Sequence, residues 1–327
     1  MTAAAAGRAA TIVSMPALSA EPALMGTGYL STAYALAMSG QGRPLPLAQS
    51  GATLVIRPIP DHAEEDAAAP YPILVCANWA GLAGDIAALP PSLVSLTAVT
   101  DPFAGSDEER LGRAFNHAVR PYKPHYVIDL ARPLESFADR HHLGCARSAL
   151  KKLAIECCAA PLDHFEDWVR LYSVLVARHG LRGAGVMSPE SLQRQFQVPG
   201  FRLFRAGHQG RTVGMIAVME TGDRAYFHLG AYSEEGYRLK AAYALVRGII
   251  DHYRHEGFSA MSIGGGAGAF GTDDTGLARF KRGFASGSLM TYLCGHIINA
   301  RRYAALAAAM PQPAADYFPA YRAGEFD

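Results

Sequence analysis

Charge is scarce in this chain. Asp, Glu, Lys and Arg make up 18% of 327 residues and leave a net charge of +1. With no global field pulling it toward nucleic acid or an anionic membrane, a general polyanion binder is excluded and only a local basic patch remains open. Cysteine is sparse too. The five thiols, Cys76, Cys145, Cys157, Cys158 and Cys294, show no C-x-x-C spacing and are odd in number, and Cys157-Cys158 is a vicinal pair of poor disulfide geometry. A disulfide scaffold is excluded, and buried thiols in a reducing cytoplasm fit better. No apolar run approaches the ~18 residues of a membrane span. Ala-rich residues 1–10 do not read as a signal peptide, so a soluble cytoplasmic protein with no membrane partner is expected. The scattered histidines (His141-His142, His164, His179, His208, His296) form no H-x-x-x-H or H-E-x-x-H pattern, and no metal site is expected. The Gly264-Gly265-Gly266-Ala267-Gly268 cluster lacks the Gly-Lys-Ser/Thr ending of a phosphate loop and reads as a turn lining a cleft. No repeat of solenoid length is present.

What the chain does have is apolar material: half its residues are hydrophobic, enough for two domain-sized cores. Short β-branched runs at 53–57, 71–76 and 93–99 predict strands, and the acidic, proline-containing stretch 58–70 predicts a surface loop. A helix is expected at 107–119 and a strand at 125–129. Residues 134–150 then have helical character, with Arg140, His141, His142 and Arg147 running on to Lys151 and Lys152. This basic face is either a solvated helix joining two parts of the chain or a cleft wall for an anionic group. Beyond it the order is clear. Helices at 162–179 and 190–196 precede a meander of strands at 202–205, 212–219 and 224–232. A helix at 239–254, strands at 258–263 and 288–298, and a helix at 300–309 follow. That is an α+β order.

Three stretches carry a family resemblance. Tyr226-Phe227-His228-Leu229-Gly230-Ala231-Tyr232-Ser233 looks like the fourth strand of a GNAT acyltransferase, residues 234–245 like the turn and helix after it, and Gly276-Leu277-Ala278-Arg279-Phe280-Lys281-Arg282-Gly283-Phe284 like the G-L-x-x-F-K-x-x-F segment of FemAB-like proteins. The chain therefore resembles the FemAB-like branch of the GNAT superfamily. The resemblance implies two GNAT-like lobes, each a mixed, mostly antiparallel sheet flanked by helices. The expected divisions are a flexible N-terminus (1–22), a degenerate lobe (23–133), a basic connecting helix and strand (134–160) and the better-formed acyltransferase lobe (161–327).

It also implies acyl transfer to an amine, which needs a deprotonated nucleophile, fixed dipoles at the oxyanion and aligned substrates, but no covalent enzyme intermediate. Strict alternation along residues 225–232 puts Tyr226, His228, Gly230 and Tyr232 on one face and an apolar set on the other. His228 is then a candidate base or a hydrogen-bonded core histidine, and Tyr226 and Tyr232 are proton donors or packing residues. Lys281 is a candidate for stabilising negative charge, or an exposed cation beside Arg279 and Arg282. Phe280, Tyr232, Gly265 and Arg147 are candidates for the substrate pocket.

Acetyl-CoA users carry Q/R-x-x-G-x-G/A at the turn into the helix, where backbone N–H groups hold pyrophosphate. Here Ser233, Gly236, Arg238 and Lys240 are the donor-binding candidates, but the turn has one glycine and two glutamates, Glu234 and Glu235. The departure fits the FemAB-like group better, where aminoacyl-tRNA is a known donor. The expected function is thus N-acyl transfer from acyl-CoA or aminoacyl-tRNA, as co-substrate and not bound cofactor, to a small-molecule amine. The alternative is a catalytically inactive GNAT-fold protein that binds a ligand or tRNA.

Overall fold

The computed structural model describes residues 26–105, 107–183, 186–266, 275–310 and 317–325. The stretch 1–22 and, from the glycine cluster, Ala267 and Gly268 lie outside them. The expected α+β architecture, a mostly antiparallel sheet flanked by helices, holds. All eleven strands join edge to edge: β1 (Arg43–Pro46), β2 (Thr53–Pro58), β3 (Glu65–Ala68), β4 (Leu93–Val99), β11 (Gly287–Ile297), β5 (Ala118–Asp129), β10 (Ala260–Ser262), β9 (Arg224–Tyr232), β8 (Arg211–Thr221), β7 (Phe201–His208) and β6 (Ala154–Cys157). Among the described strands, β3–β4 and β9–β10 are the parallel pairs. Because β11 runs between β4 and β5, the N-terminal strands and the C-terminal meander share one continuous sheet.

Helices cover both faces. On one side α4 (Arg140–Leu150), α8 (Ala241–His255) and α9 (Gly276–Arg282) bury Leu143, Leu245, Ile249 and Ala278 against Ile128, Ile216 and Val218. On the other, α1 (Thr32–Met38), α5 (Phe165–His179) and α6 (Pro189–Gln195) bury Tyr34, Trp168, Leu171 and Leu192 against Met215, Ala217 and Met219. The alternation along β8 is what a strand covered on both faces requires. A third core lies under α2 (Leu82–Ala87) and α3 (Glu108–Ala114), and α10 (Ala300–Ala308) packs Leu306 with Ile59, Val94 and Tyr321.

Helix ends follow local chemistry. Asp139, Ser188 and Thr275 cap α4, α6 and α9 with side-chain oxygens that accept from the first-turn N–H groups of His141, Ser191 and Ala278. Gly180, at φ 60°, ends α5 in the left-handed conformation.

Several expectations are corrected. The stretch 58–70, read as a surface loop, contains β3. Its Asp66 is fully buried between Arg57 and Arg322, a partner 256 residues away that pays for burying an acidic strand. Among the described residues, 71–76 pair with the sheet through a single bridge, Leu74 to Thr100, while Ile73 and Val75 pack into its core. The helix expected to reach 119 stops at Ala114, and β5 begins at Ala118 rather than 125. The helix expected at 239–254 is α8, and a separate short helix, α7 (Glu234–Arg238), precedes it with Lys240 at φ 58° between the two.

A wedge between two strands as the candidate active site

Among the described residues the sheet opens between β9 and β5. β10 is only three residues long and pairs with β9 at Arg224–Tyr226 on one side and with β5 at Val127–Asp129 on the other. After Ser262 the chain stays with β5, where Ile263 N–H donates to Tyr126 O (2.9 Å) and Tyr126 N–H to Gly264 O (3.1 Å). β9 continues alone. From Phe227 to Tyr232 on β9, and before Tyr126 on β5, each strand is laddered on one side only among the described residues. The two strands diverge and form a wedge. Pro121 and Pro124 sit in this stretch of β5, where the missing N–H groups cost no ladder bond on the open side.

Lys281, on α9, reaches the mouth of the wedge. Its Nζ donates to Gly265 O at 2.7 Å and lies 6.0 Å from the centre of the Phe227 ring. Burial, with the positive charge of Lys123 second, pulls its pKa down to about 7. His125 is buried near both lysines, and burial together with their charges lowers its pKa to about 3. Burial also lowers the pKa of Lys123. Gly265 packs so closely that a Cβ would stand 2.7 Å from Lys123 Cδ, so the lysine pair and the glycine turn are fitted to one another. At neutral pH this corner holds a lysine poised between charge states beside a histidine kept neutral.

His228 faces elsewhere. Across β8–β9, Ala217 pairs with Leu229 and Val218 with Phe227, so His228 is the extra residue of a β-bulge. The bulge breaks strict alternation. Tyr226, His228, Leu229 and Ala231 point toward α1 and α5, whereas Phe227, Gly230 and Tyr232 point toward α8, contrary to the single polar face expected from the sequence. Both His228 nitrogens are engaged, Nδ1 with Tyr29 Oη at 3.0 Å and Nε2 with Gln195 Oε1 at 2.7 Å, and burial lowers its pKa to about 4. Tyr226, 2% exposed, donates from its hydroxyl to Asp101 Oδ2 at 3.1 Å and packs on Tyr29 and Phe103. Asp101, raised by burial to about 7, completes a polar cluster inside the α1–α5 core.

The donor-binding candidates are distributed along the turn into α8. Ser233 caps α7, accepting from Gly236 N–H at 3.0 Å. At Gly236 a Cβ would fall 2.0 Å from Val213 O, so this glycine is required by packing on β8. Glu234 pairs with Arg178 and Glu235 with His208, which draws both carboxylates away from the turn. Arg238 and Lys240 are exposed, and Lys240 Nζ donates to Cys145 Sγ at 3.1 Å. Tyr232 is buried edge-on against Tyr237, Phe280 is half-buried edge-on against Tyr243, and Arg147 is exposed on α4. The basic helix buries Leu143, Cys145, Ala146 and Ala149 against α8, so Arg140, Arg147, Lys151 and Lys152 face solvent.

The structure thus gathers Lys281, Phe227 and Gly265 at one opening and places Tyr226 and His228 in the opposite layer. Lys123 and His125 were missed by the sequence reading. Their signal was two prolines within an apolar strand, a pattern that marks a strand with one open edge.

Residues 140–282 match the family model described as an acetyltransferase (GNAT) domain. Among solved structures, FemX aligns at TM-score 0.60 and 11% identity, covering 85% of this chain and 97% of its own. The C-terminal domain (DUF2156) of a putative lysylphosphatidylglycerol synthetase from Agrobacterium fabrum aligns at 0.58 and 16%, covering 88% and 92%. L-PGS from Bacillus licheniformis aligns at 0.58 and 12%, covering 88% and 94%. At these identities the likeness is one of fold. No curated protein matches the sequence. Among the described residues no helix is long and apolar enough to cross a membrane.

Proposed function

With a GNAT acetyltransferase domain inside a FemAB-like fold as the premise, we propose that the protein is an N-acyltransferase. It moves an acyl or aminoacyl group from an activated donor to the amine of a small molecule, within a ternary complex and without a covalent enzyme intermediate. The observation that supports this reading is the wedge between β9 and β5 with the Lys281 ammonium at its mouth. A donor carbonyl placed against the free edge of β9 meets backbone N–H groups on one side and a cation on the other. The acceptor nitrogen attacks that carbonyl, and the oxyanion is held by the strand edge and Lys281. The donor's ester or thioester bond then breaks, and the proton lost from nitrogen leaves with the hydroxyl or thiol. His228 stays neutral and hydrogen-bonded on the far side of β9, a positioning residue for the bulge in this proposal.

We favour aminoacyl-tRNA as the donor. The turn into α8 lacks the glycines that let pyrophosphate approach backbone, its one glycine being filled by Val213 O. The solvent-facing row Arg140, Arg147, Lys151 and Lys152 on and after α4, beside α8, suits a longer polyanion.

The test is product formation with a panel of small amines, using acetyl-CoA or charged tRNA. Turnover with charged tRNA, weakening steeply with salt and lost when the four basic residues are changed to Ala, is expected. Turnover with acetyl-CoA alone reverses the donor assignment. Tight ligand binding with neither donor consumed supports instead a ligand-binding protein that has lost the chemistry.

A further inference from the structure

Histidine spacing gives no metal motif, yet the fold assembles one from three residue types. One ligating atom each from Glu156, Cys158 and His164 lies within 4.8 Å of the others. The elements that bring them together are local. Glu156 is on β6 opposite Arg205, and Cys158, just beyond the strand's end, is still fastened to β7 through its N–H to Leu203 O at 2.8 Å. His164 ends the 3-10 turn Pro161–His164 that leads into α5. Cys158 is 6% exposed, so its sulfur is held among packed side chains. The neighbouring Cys157 is exposed and is not part of the cluster.

We propose that Glu156, Cys158 and His164 form a binding site for a zinc ion that clips the edge strand β6 to the start of α5. A carboxylate, a thiolate and an imidazole are the donor set zinc takes, and three protein ligands leave a fourth position for water. Bonds of about 2.0–2.3 Å hold tetrahedral ligand atoms roughly 3.3–3.8 Å apart, so side-chain rotations closing about 1 Å complete the site. The carboxylate is already oriented by an outer layer of hydrogen bonds. Arg205 Nη1 donates to Glu156 Oε1 at 2.7 Å, leaving Oε2 for the ion, while Arg205 Nε donates to Thr212 Oγ1 at 2.7 Å and that hydroxyl donates to Asp167. The place in the fold gives the clip a purpose. Among the described residues β6 is the last strand of the sheet, four residues paired on one side only, and a metal link across its end resists fraying and edge-to-edge pairing.

The test uses the tag-free full chain, stripped with a chelator and titrated with Co²⁺. Expected is saturation at one equivalent with tetrahedral d–d bands and a thiolate-to-cobalt charge-transfer band, both erased by one equivalent of Zn²⁺. Cys158→Ser removes the charge-transfer band, and Glu156→Gln and His164→Ala weaken cobalt binding by at least about 10-fold, while Cys157→Ser leaves the spectrum unchanged. Zinc raises the melting temperature of the wild type and of Cys157→Ser but not of His164→Ala, a change at a half-buried position that keeps the test valid should Cys158→Ser fail to fold. Absence of a charge-transfer band at saturating cobalt, or one that survives in Cys158→Ser and vanishes in Cys157→Ser, overturns the proposal.

Discussion

Replacing Lys281 with Met separates catalysis from stability. Burial holds the Lys281 ammonium at a pKa of about 7 against 10.5 for the free side chain. A difference of ~3.5 units corresponds to about 5 kcal/mol of penalty for keeping the charge in the folded protein below pH 7. Methionine, of similar length and uncharged, removes that penalty but strands Gly265 O, a loss of about 1 kcal/mol. The variant is therefore expected to be more stable at pH 7 by up to about 4 kcal/mol. The sign reverses the usual lysine case. Between pH 7 and 10.5 the unfolded chain keeps a proton the folded chain has released, so wild-type stability rises by about 1.4 kcal/mol per pH unit through that window. By pH 9.5 the advantage of Lys281→Met shrinks to about zero. Denaturant melts of both proteins at pH 7 and 9.5 measure the difference, and wild type minus variant cancels the titrating groups that the Lys281 charge does not touch. Turnover of the variant falls about 10²–10³-fold if Lys281 holds the oxyanion. A variant less stable at pH 7, or a gap independent of pH, refutes a buried ammonium at the wedge. Unchanged turnover refutes its catalytic role.

Other perturbations probe the surrounding framework. His228→Ala strands Tyr29 Oη and Gln195 Oε1 and is expected to cost about 2–4 kcal/mol in chemical melts, with the pH dependence of turnover unchanged. Because His228 titrates at about 4 when folded and near 6.5 when unfolded, wild-type stability falls as pH drops from 6.5 to 4. The variant loses that component of the slope, and an identical slope would contradict the assignment. Gly236→Ala, forced against Val213 O, should lower stability by more than about 2 kcal/mol, whereas Gly144→Ala in α4, with nothing within 4 Å of the new carbon, should raise it by roughly 0.5–1 kcal/mol. Arg322→Met leaves the fully buried Asp66 short of its closest cation and should cost about 3–5 kcal/mol, visible as a shift of the urea midpoint at constant m-value.

Much of the secondary structure was legible because it is written in local chemistry. Ser188-Pro189 announces α6, Gly180 closes α5, and the turns at 209–210 and 222–223 space the β7–β8–β9 meander. The Phe280-Lys281 segment could be singled out because its residue pattern is particular. Where the reading departs from the structure, a distant partner is responsible. β3 looked like an acidic loop because nothing near Asp66 in sequence offers the charge of Arg322. Gly236 looked like a phosphate contact, whereas Val213, on a neighbouring strand, sets its size.

The sequence by itself determined most of the strands and helices of the C-terminal part, the order of its meander and the placing of a lysine after a phenylalanine near its end, since propensity, capping and turn formation act over a few residues. Only the tertiary structure decided which of these meet. A single extra residue at His228 turned Gly230 and Tyr232 to the opposite layer, and the early end of β10 opened the wedge that Lys281 enters. Strand register and sheet divergence depend on hydrogen bonds between segments far apart in the chain, and no local pattern encodes them.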